Sequence, residues 1–167
     1  SYTYSCHAAE VEVDLDTGYV TVVKMVGCHD PGRIINPQFA KGQIYGGLAM
    51  GQGMALIEDL GHSDRTAALS NLNFNNYLLP TAMDVPDTNM PILNGHTDPR
   101  SAFGGRSLGE PATEPAAAAI TCAVNMALGK PGAINELPFD LERVMEIAQE
   151  IDKQRDIDAA SVAAGKA

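Results

Sequence analysis

Five glycines, Gly42, Gly46, Gly47, Gly51 and Gly53, fall inside one helical pattern, PQFAKGQIYGGLAMGQGMALIED, running from Pro37 to about Asp59. Asn36 is placed to cap it, and Pro37 has the φ that a first helical position needs. Each interior glycine costs about 1 kcal/mol of helix propensity relative to alanine, so on the order of 5 kcal/mol is forgone. Such a helix needs something close against its surface. Either another helix or a sheet packs on the glycines, or a flat ligand lies along them near Gln43, whose amide both donates and accepts.

The composition agrees with tight packing. Apolar residues make up 45% of the chain but aromatics only 5%, with no tryptophan, so small side chains must let backbones approach. At 167 residues the chain holds one core, or one compact part of a larger assembly. A net charge of −10 without a basic stripe argues against nucleic acid or an acidic membrane as partner. No apolar run reaches the roughly 18 to 20 residues of a spanning helix, and the N-terminus lacks the pattern of a signal peptide. A soluble, cytoplasmic protein is expected. Because the strand pattern begins at once and no methionine leads it, the chain is expected to be a fragment or a trimmed or split subunit.

From Cys6 to His29 apolar and polar residues alternate, with Val11, Val13 and Leu15 against Glu10, Glu12 and Asp14. Asp16-Thr17-Gly18 makes a turn, so the segment predicts a β-hairpin. If Leu15 faces Tyr19, Cys6 falls opposite Cys28, with His7 and His29 beside them. Two Cys-His pairs brought together could bind zinc; a bulge would break that register, and small buried cysteines are common in cores. The three cysteines Cys6, Cys28 and Cys122 show no CxxC spacing, so neither a disulfide framework nor an iron–sulfur site is indicated.

Asp30–Arg33 predicts a turn, 61–68 a polar connection, and 69–79 a loop with a short strand at Tyr77-Leu78-Leu79. The stretch 81–91, with Pro86 and Pro91, predicts an irregular crossing, and Ile92–Thr97 a strand containing His96. Next comes FGGRSLGEP, a glycine-rich loop ending in Glu110 and opening onto an alanine-rich helix, Ala112–Leu128, stopped by Gly129. Glu110 would sit at the positive end of that helix, a position suited to a general base, with Glu114 one turn on. A glycine loop before a helix is also the ordinary form of a turn. An amphipathic helix is predicted from Asp140 to about Gln154, ahead of a polar, alanine-rich tail. The fold class is α+β: an N-terminal β-hairpin, a glycine-rich helix, short strands and two C-terminal helices. The expected division is a domain over 1–155 and a tail over 156–167.

HDPGRIINPQFAKGQIYGGLAMGQGMALIED, NYLLPTAMDVP, FGGRSLGEPATEPAAAAI and INELPFDLERV, in that order, resemble the C-terminal part of the molybdenum-binding subunit of the xanthine dehydrogenase (molybdenum hydroxylase) family. The resemblance runs from about Val11 to Ile147. It implies that Glu110 is the catalytic base at a molybdenum centre, and that Gln43 and the loop residues Arg106, Ser107, Leu108 and Gly109 hold the molybdenum-pterin cofactor. No protein metal ligand is implied. Arg106 stands where the family often has lysine, and Ser107 where glycine or alanine is usual. The family's other cofactor-holding segments, its iron–sulfur clusters and its FAD lie outside these residues. The resemblance therefore implies partner chains: the remaining molybdopterin-binding polypeptide and iron–sulfur and FAD subunits. The implied reaction is oxidation of a nitrogen heterocycle, purine- or nicotinate-like, or of an aldehyde. The alternative is a non-catalytic assembly domain of a multi-subunit oxidoreductase, for which Gln43 and Glu110 would have no use.

Overall fold

Alternation along the first strand sets up the sheet. In the computed structural model, which describes residues 2–89 and 97–164, β1 (Tyr4–Val13) pairs antiparallel with β2 (Val20–Asp30). Odd residues of β1 are half-buried and even ones exposed. The turn joins Asp14 to Tyr19, whose carbonyl accepts from the Asp14 N–H at 2.9 Å, so Leu15 does not face Tyr19 as the sequence suggested. Gly18 takes φ +73 there and lies against the Leu141 carbonyl, with no room for a Cβ. The turn register is thus one residue off the predicted one. A bulge between Glu10 and Val11 leaves Val23 unpaired and restores the register, so that Cys6 faces Cys28 as expected. The same extra residue moves the buried set of β2 from Val20 and Val22 to Met25, Gly27 and His29.

Among the described residues three helices complete the fold: α1 (Pro37–Leu56), α2 (Gly109–Ala127) and α3 (Leu141–Ala164). Asn36 caps α1 as predicted, its Oδ1 accepting from Gln38 N at 3.0 Å and Phe39 N at 3.1 Å. The middle layer is α2, which packs on α1 on one side and on β1 and β2 on the other. Ile44, Leu48, Ile120 and Val124 meet Met25 in the core, with Val144 and Ile147 from α3. The fold is the expected α+β arrangement of hairpin, glycine-bearing helix and two later helices.

Several boundaries differ from the sequence reading. Helix α1 ends at Leu56 rather than near Asp59, where the Ile57 and Glu58 N–H groups both turn back to the Gly53 carbonyl. Helix α2 begins at Gly109, so Glu110 lies inside its first turn. Helix α3 continues to Ala164 through residues expected to form a tail. No strand forms at Tyr77-Leu78-Leu79: the Tyr77 N–H closes a turn onto the Asn73 carbonyl at 2.8 Å, while Asn73 Oδ1 accepts from Asn75 N. The third strand is β3 (Asp87–Asn89), inside the stretch read as irregular, and it runs parallel to Lys24–Val26. The strand expected over Ile92–Thr97 and His96 lies outside the described residues but for Thr97. Among the described residues no helix is long and apolar enough to cross a membrane.

Candidate functional site

Four of the five glycines of α1 divide into two stripes, and the fifth, Gly53, lies against Glu58 and Pro80. A Cβ on Gly47 would approach Ala112 of α2 within 2.6 Å, and one on Gly51 would strike Ala116. These two let the helices touch. A Cβ on Gly42 or Gly46 would meet nothing within 4 Å among the described residues. Helix contact therefore accounts for one stripe, and no described residue packs on the other.

The second stripe forms the floor of a cleft of about 600 Å³ between α1 and the start of α2, lined by Gly42, Gln43, Gly46, Gly47 and Met50 on one side. Across from them are Gly109, Glu110, Thr113 and Glu114. Gln43 and Glu110, far apart in sequence, share this cleft, and both are exposed. Glu114 joins them because residues four apart on a helix share a face. No side chain caps the N-terminus of α2 among the described residues, and Gly109 has open space where a Cβ would be. First-turn amide groups therefore remain available to acceptors in the cleft.

The loop leading there is pinned from behind. Gly104, at φ +75, gives its carbonyl to the N–H groups of Arg33 (2.8 Å) and Asp98 (3.0 Å), and Gly105 bridges to Gly32. Arg106 donates its N–H to the Pro31 carbonyl at 2.7 Å, and its guanidinium pairs with Asp30 and, at 3.3 Å, with Asp98. The Asp98 side chain is wholly buried. The Arg100 N–H, then the Arg100 and Arg106 side chains, hold its carboxyl down at about 2 against the upward pull of burial.

The expected cofactor residues are thus placed unequally. Gln43 and Gly109 line the cleft. Ser107 is exposed, its carbonyl accepting from Thr3 Oγ1 at 3.2 Å. Leu108 packs on the core, and Arg106 turns its side chain and its N–H into the protein. Asp30 and Asp98 escaped the sequence reading, since nothing local to Asp30 announces a partner 76 residues away.

The zinc reading of the hairpin does not hold. Neighbours on a strand point to opposite faces, so Cys6 and Cys28 lie on the outer face, away from His7 and His29. Among the described residues no group of three or more His, Cys, Asp or Glu could hold a metal. The histidines instead meet each other, Nε2 to Nε2 at 3.0 Å in an edge-on arrangement, and both Nδ1 atoms are buried without a partner. Burial, then the neighbouring His29, lowers the pKa of His7 to about 4; burial lowers that of His29. Gln52, at the far end of α1, lines a separate cavity of about 340 Å³ and donates to the Asp84 carbonyl at 2.7 Å. None of the expected site residues lines that cavity.

Residues 1–86 match the family described as the molybdopterin cofactor-binding domain. The putative xanthine dehydrogenase molybdenum-binding subunit XdhA of Escherichia coli K12 is 38% identical over 143 residues, 86% of this chain and 19% of its own length. The aldehyde oxidoreductase of Megalodesulfovibrio gigas is 38% identical over 146 residues, 87% of this chain and 15% of its own. The crystal structure of quinoline 2-oxidoreductase from Pseudomonas putida 86 superposes with a TM-score of 0.78 at 36% identity, over 86% of this chain and 18% of that one. The chain thus spans less than a fifth of the length of these relatives.

Proposed function

Since the chain belongs to the molybdopterin cofactor-binding domain family, we propose that the cleft between α1 and α2 is its share of a molybdenum hydroxylase site. Gln43 and Glu110, from elements far apart in sequence, line one cleft in which Gly42 and Gly46 meet no described residue, and this observation carries the reading. The cleft suits the flat edge of a pterin. Gly42, Gly46 and Gly109 withhold side chains where a ring would lie, and the Gln43 amide and the first-turn amides of α2 offer donors. Glu110 and Glu114 make the cleft acidic, so the anionic groups of the cofactor are to be held by other segments.

When bound, the molybdenum cofactor supplies the two-electron oxidation of a substrate carbon with oxygen drawn from water. Glu110 accepts on its carboxylate the proton that the water gives up, acting as general base from the first turn of α2. Gln43 and Gly109, on the walls of the cleft, would hold the pterin edge, and the exposed Ser107 would extend the loop's contact with it. Arg106 serves from behind, holding the loop. The substrate is a purine- or nicotinate-like heterocycle or an aldehyde. The remaining molybdopterin-binding polypeptide completes the site, and iron–sulfur and FAD subunits take the electrons, all in the cytoplasm.

Glu110→Gln in the complex isolated from its native source is expected to lower turnover by about 10²- to 10⁴-fold while molybdenum and pterin contents stay unchanged. Full turnover in that variant would remove Glu110 as the base and favour an assembly role for this chain.

A further inference from the structure

Cys6 and Cys28 are direct partners across the antiparallel β1–β2 ladder, and both are free thiols. Cys6 is exposed and Cys28 half-buried, on the sheet face away from the histidine pair. Directly opposed residues in an antiparallel pair have Cα atoms about 4.5 to 5.5 Å apart, inside the roughly 4.4 to 6.8 Å that a disulfide spans. The backbone therefore already stands at bonding distance. Their Cβ atoms lie about 4.5 to 5.5 Å apart, against about 3.8 Å in a relaxed disulfide. Closing the bond must pinch the strands together by roughly 1 Å, and a bond strained in this way is readily reduced.

We propose that Cys6 and Cys28 form a reversible cross-strand disulfide, a redox site that takes a low-molecular-weight disulfide such as oxidised glutathione as its oxidant. The exposed Cys6 thiol loses its proton and its sulfur attacks one sulfur of the glutathione disulfide; the S–S bond breaks, releasing one glutathione thiolate. Cys28, also deprotonated, attacks the Cys6 sulfur of the mixed disulfide and releases the second glutathione. Two thiols are oxidised to one disulfide, and the oxidant is reduced to two thiols that take up the two protons. The site lies two residues from Asp30, at the end of β2 that anchors Arg106. Cys122, exposed on α2, is a third free thiol in the same chain and serves as internal control.

The test treats the native full chain, in the complex in which it is isolated, with oxidised glutathione, quenches it with acid and maps the thiols by peptide mass spectrometry. The expected product joins the Cys6 and Cys28 peptides with the loss of two hydrogens, leaves Cys122 unlinked, and returns to thiols in excess glutathione. Cys6→Ser and Cys28→Ser should each abolish the link, leaving at most a glutathione adduct on the other cysteine. Free thiols or separate adducts at both positions would overturn the proposal. So would a link from either residue to Cys122 or to a second molecule, or a link that excess glutathione fails to reverse.

Discussion

Asp30, the last residue of β2, and Arg106, in the glycine loop before α2, form an ion pair across 76 residues of chain, with the buried Asp98 on the guanidinium's other side. One planar cation thus ties the sheet, the 97–100 turn and the loop that presents Gly109 and Glu110. Arg106→Ala should leave Asp30 without its cation and Asp98 with only Arg100 beside it, and lower the thermal unfolding midpoint by several degrees. Arg106→Lys keeps the charge but cannot fork to both acids, so its midpoint should fall between alanine variant and wild type. A lysine variant as unstable as alanine would show that the charge contributes nothing, and a wild-type midpoint in both would dismiss the clamp.

The two glycine stripes of α1 separate stability from ligand binding. Gly47→Ala places a methyl against the Ala112 backbone, and overpacking of that kind costs about 1 to 3 kcal/mol. Gly42→Ala and Gly46→Ala meet no atoms of the described residues within 4 Å and should gain up to about 1 kcal/mol of helix propensity. Each of the latter pair puts a methyl on the cleft floor and should lower the pterin retained by the complex. Denaturant unfolding and pterin fluorescence of released cofactor, measured on the same variants, check both halves. A rise in stability with unchanged pterin would detach the cleft from the cofactor.

What the sequence made legible was local. The Asn36-Pro37 cap, the alternation of β1 and the alanine-rich run of α2 are decided by neighbours a few residues apart, and each forms. The five glycines were legible as an anomaly, but their sorting was not, because it depends on where Ala112, Ala116 and Pro80 come to rest. The same holds for Val23, whose bulge corrects a register that the turn sets one residue off. Strand β3 was missed because Asp87–Asn89 has no strand pattern of its own and pairs only because Lys24–Val26 offers an edge. Arg106 stands in the loop that the resemblance ties to the cofactor, and its inward side chain was not legible because the pairing with Asp30 and Asp98 is long-range.

The histidine pair sets a pH limit. Folding lowers the pKa of His7 from 6.5 to about 4, and that of His29 in the same direction. A histidine depressed in the folded state binds its proton more readily when unfolded, so its contribution is complete above pH 6.5 and declines as pH falls toward about 4. The unfolding midpoint should drop across that window. In His7→Gln the drop should be shallower, because the variant lacks the more strongly shifted proton site while the carboxylates that also titrate there remain. Parallel curves for variant and wild type would show that His7 does not contribute.

Asn125, buried near the end of α2, closes both polar groups of one residue: its Nδ2 donates to the Ile134 carbonyl and its Oδ1 accepts from the Ile134 N–H, each at 2.9 Å. This double bond to the backbone fixes the connection that carries Phe139 under α1, where its N–H meets the Ala55 carbonyl at 3.0 Å. Asn125→Ala leaves a buried donor and a buried acceptor unpaired, at about 1 to 3 kcal/mol each. Equilibrium urea unfolding should show a loss of about 2 to 6 kcal/mol. Asn125→Asp retains the acceptor but sets a carboxylate oxygen against the Ile134 carbonyl, so it too should destabilise at neutral pH and recover in part as the acid is protonated. If the alanine variant unfolds at the wild-type urea concentration, water must already satisfy Ile134, and the connection is held by Phe139 instead.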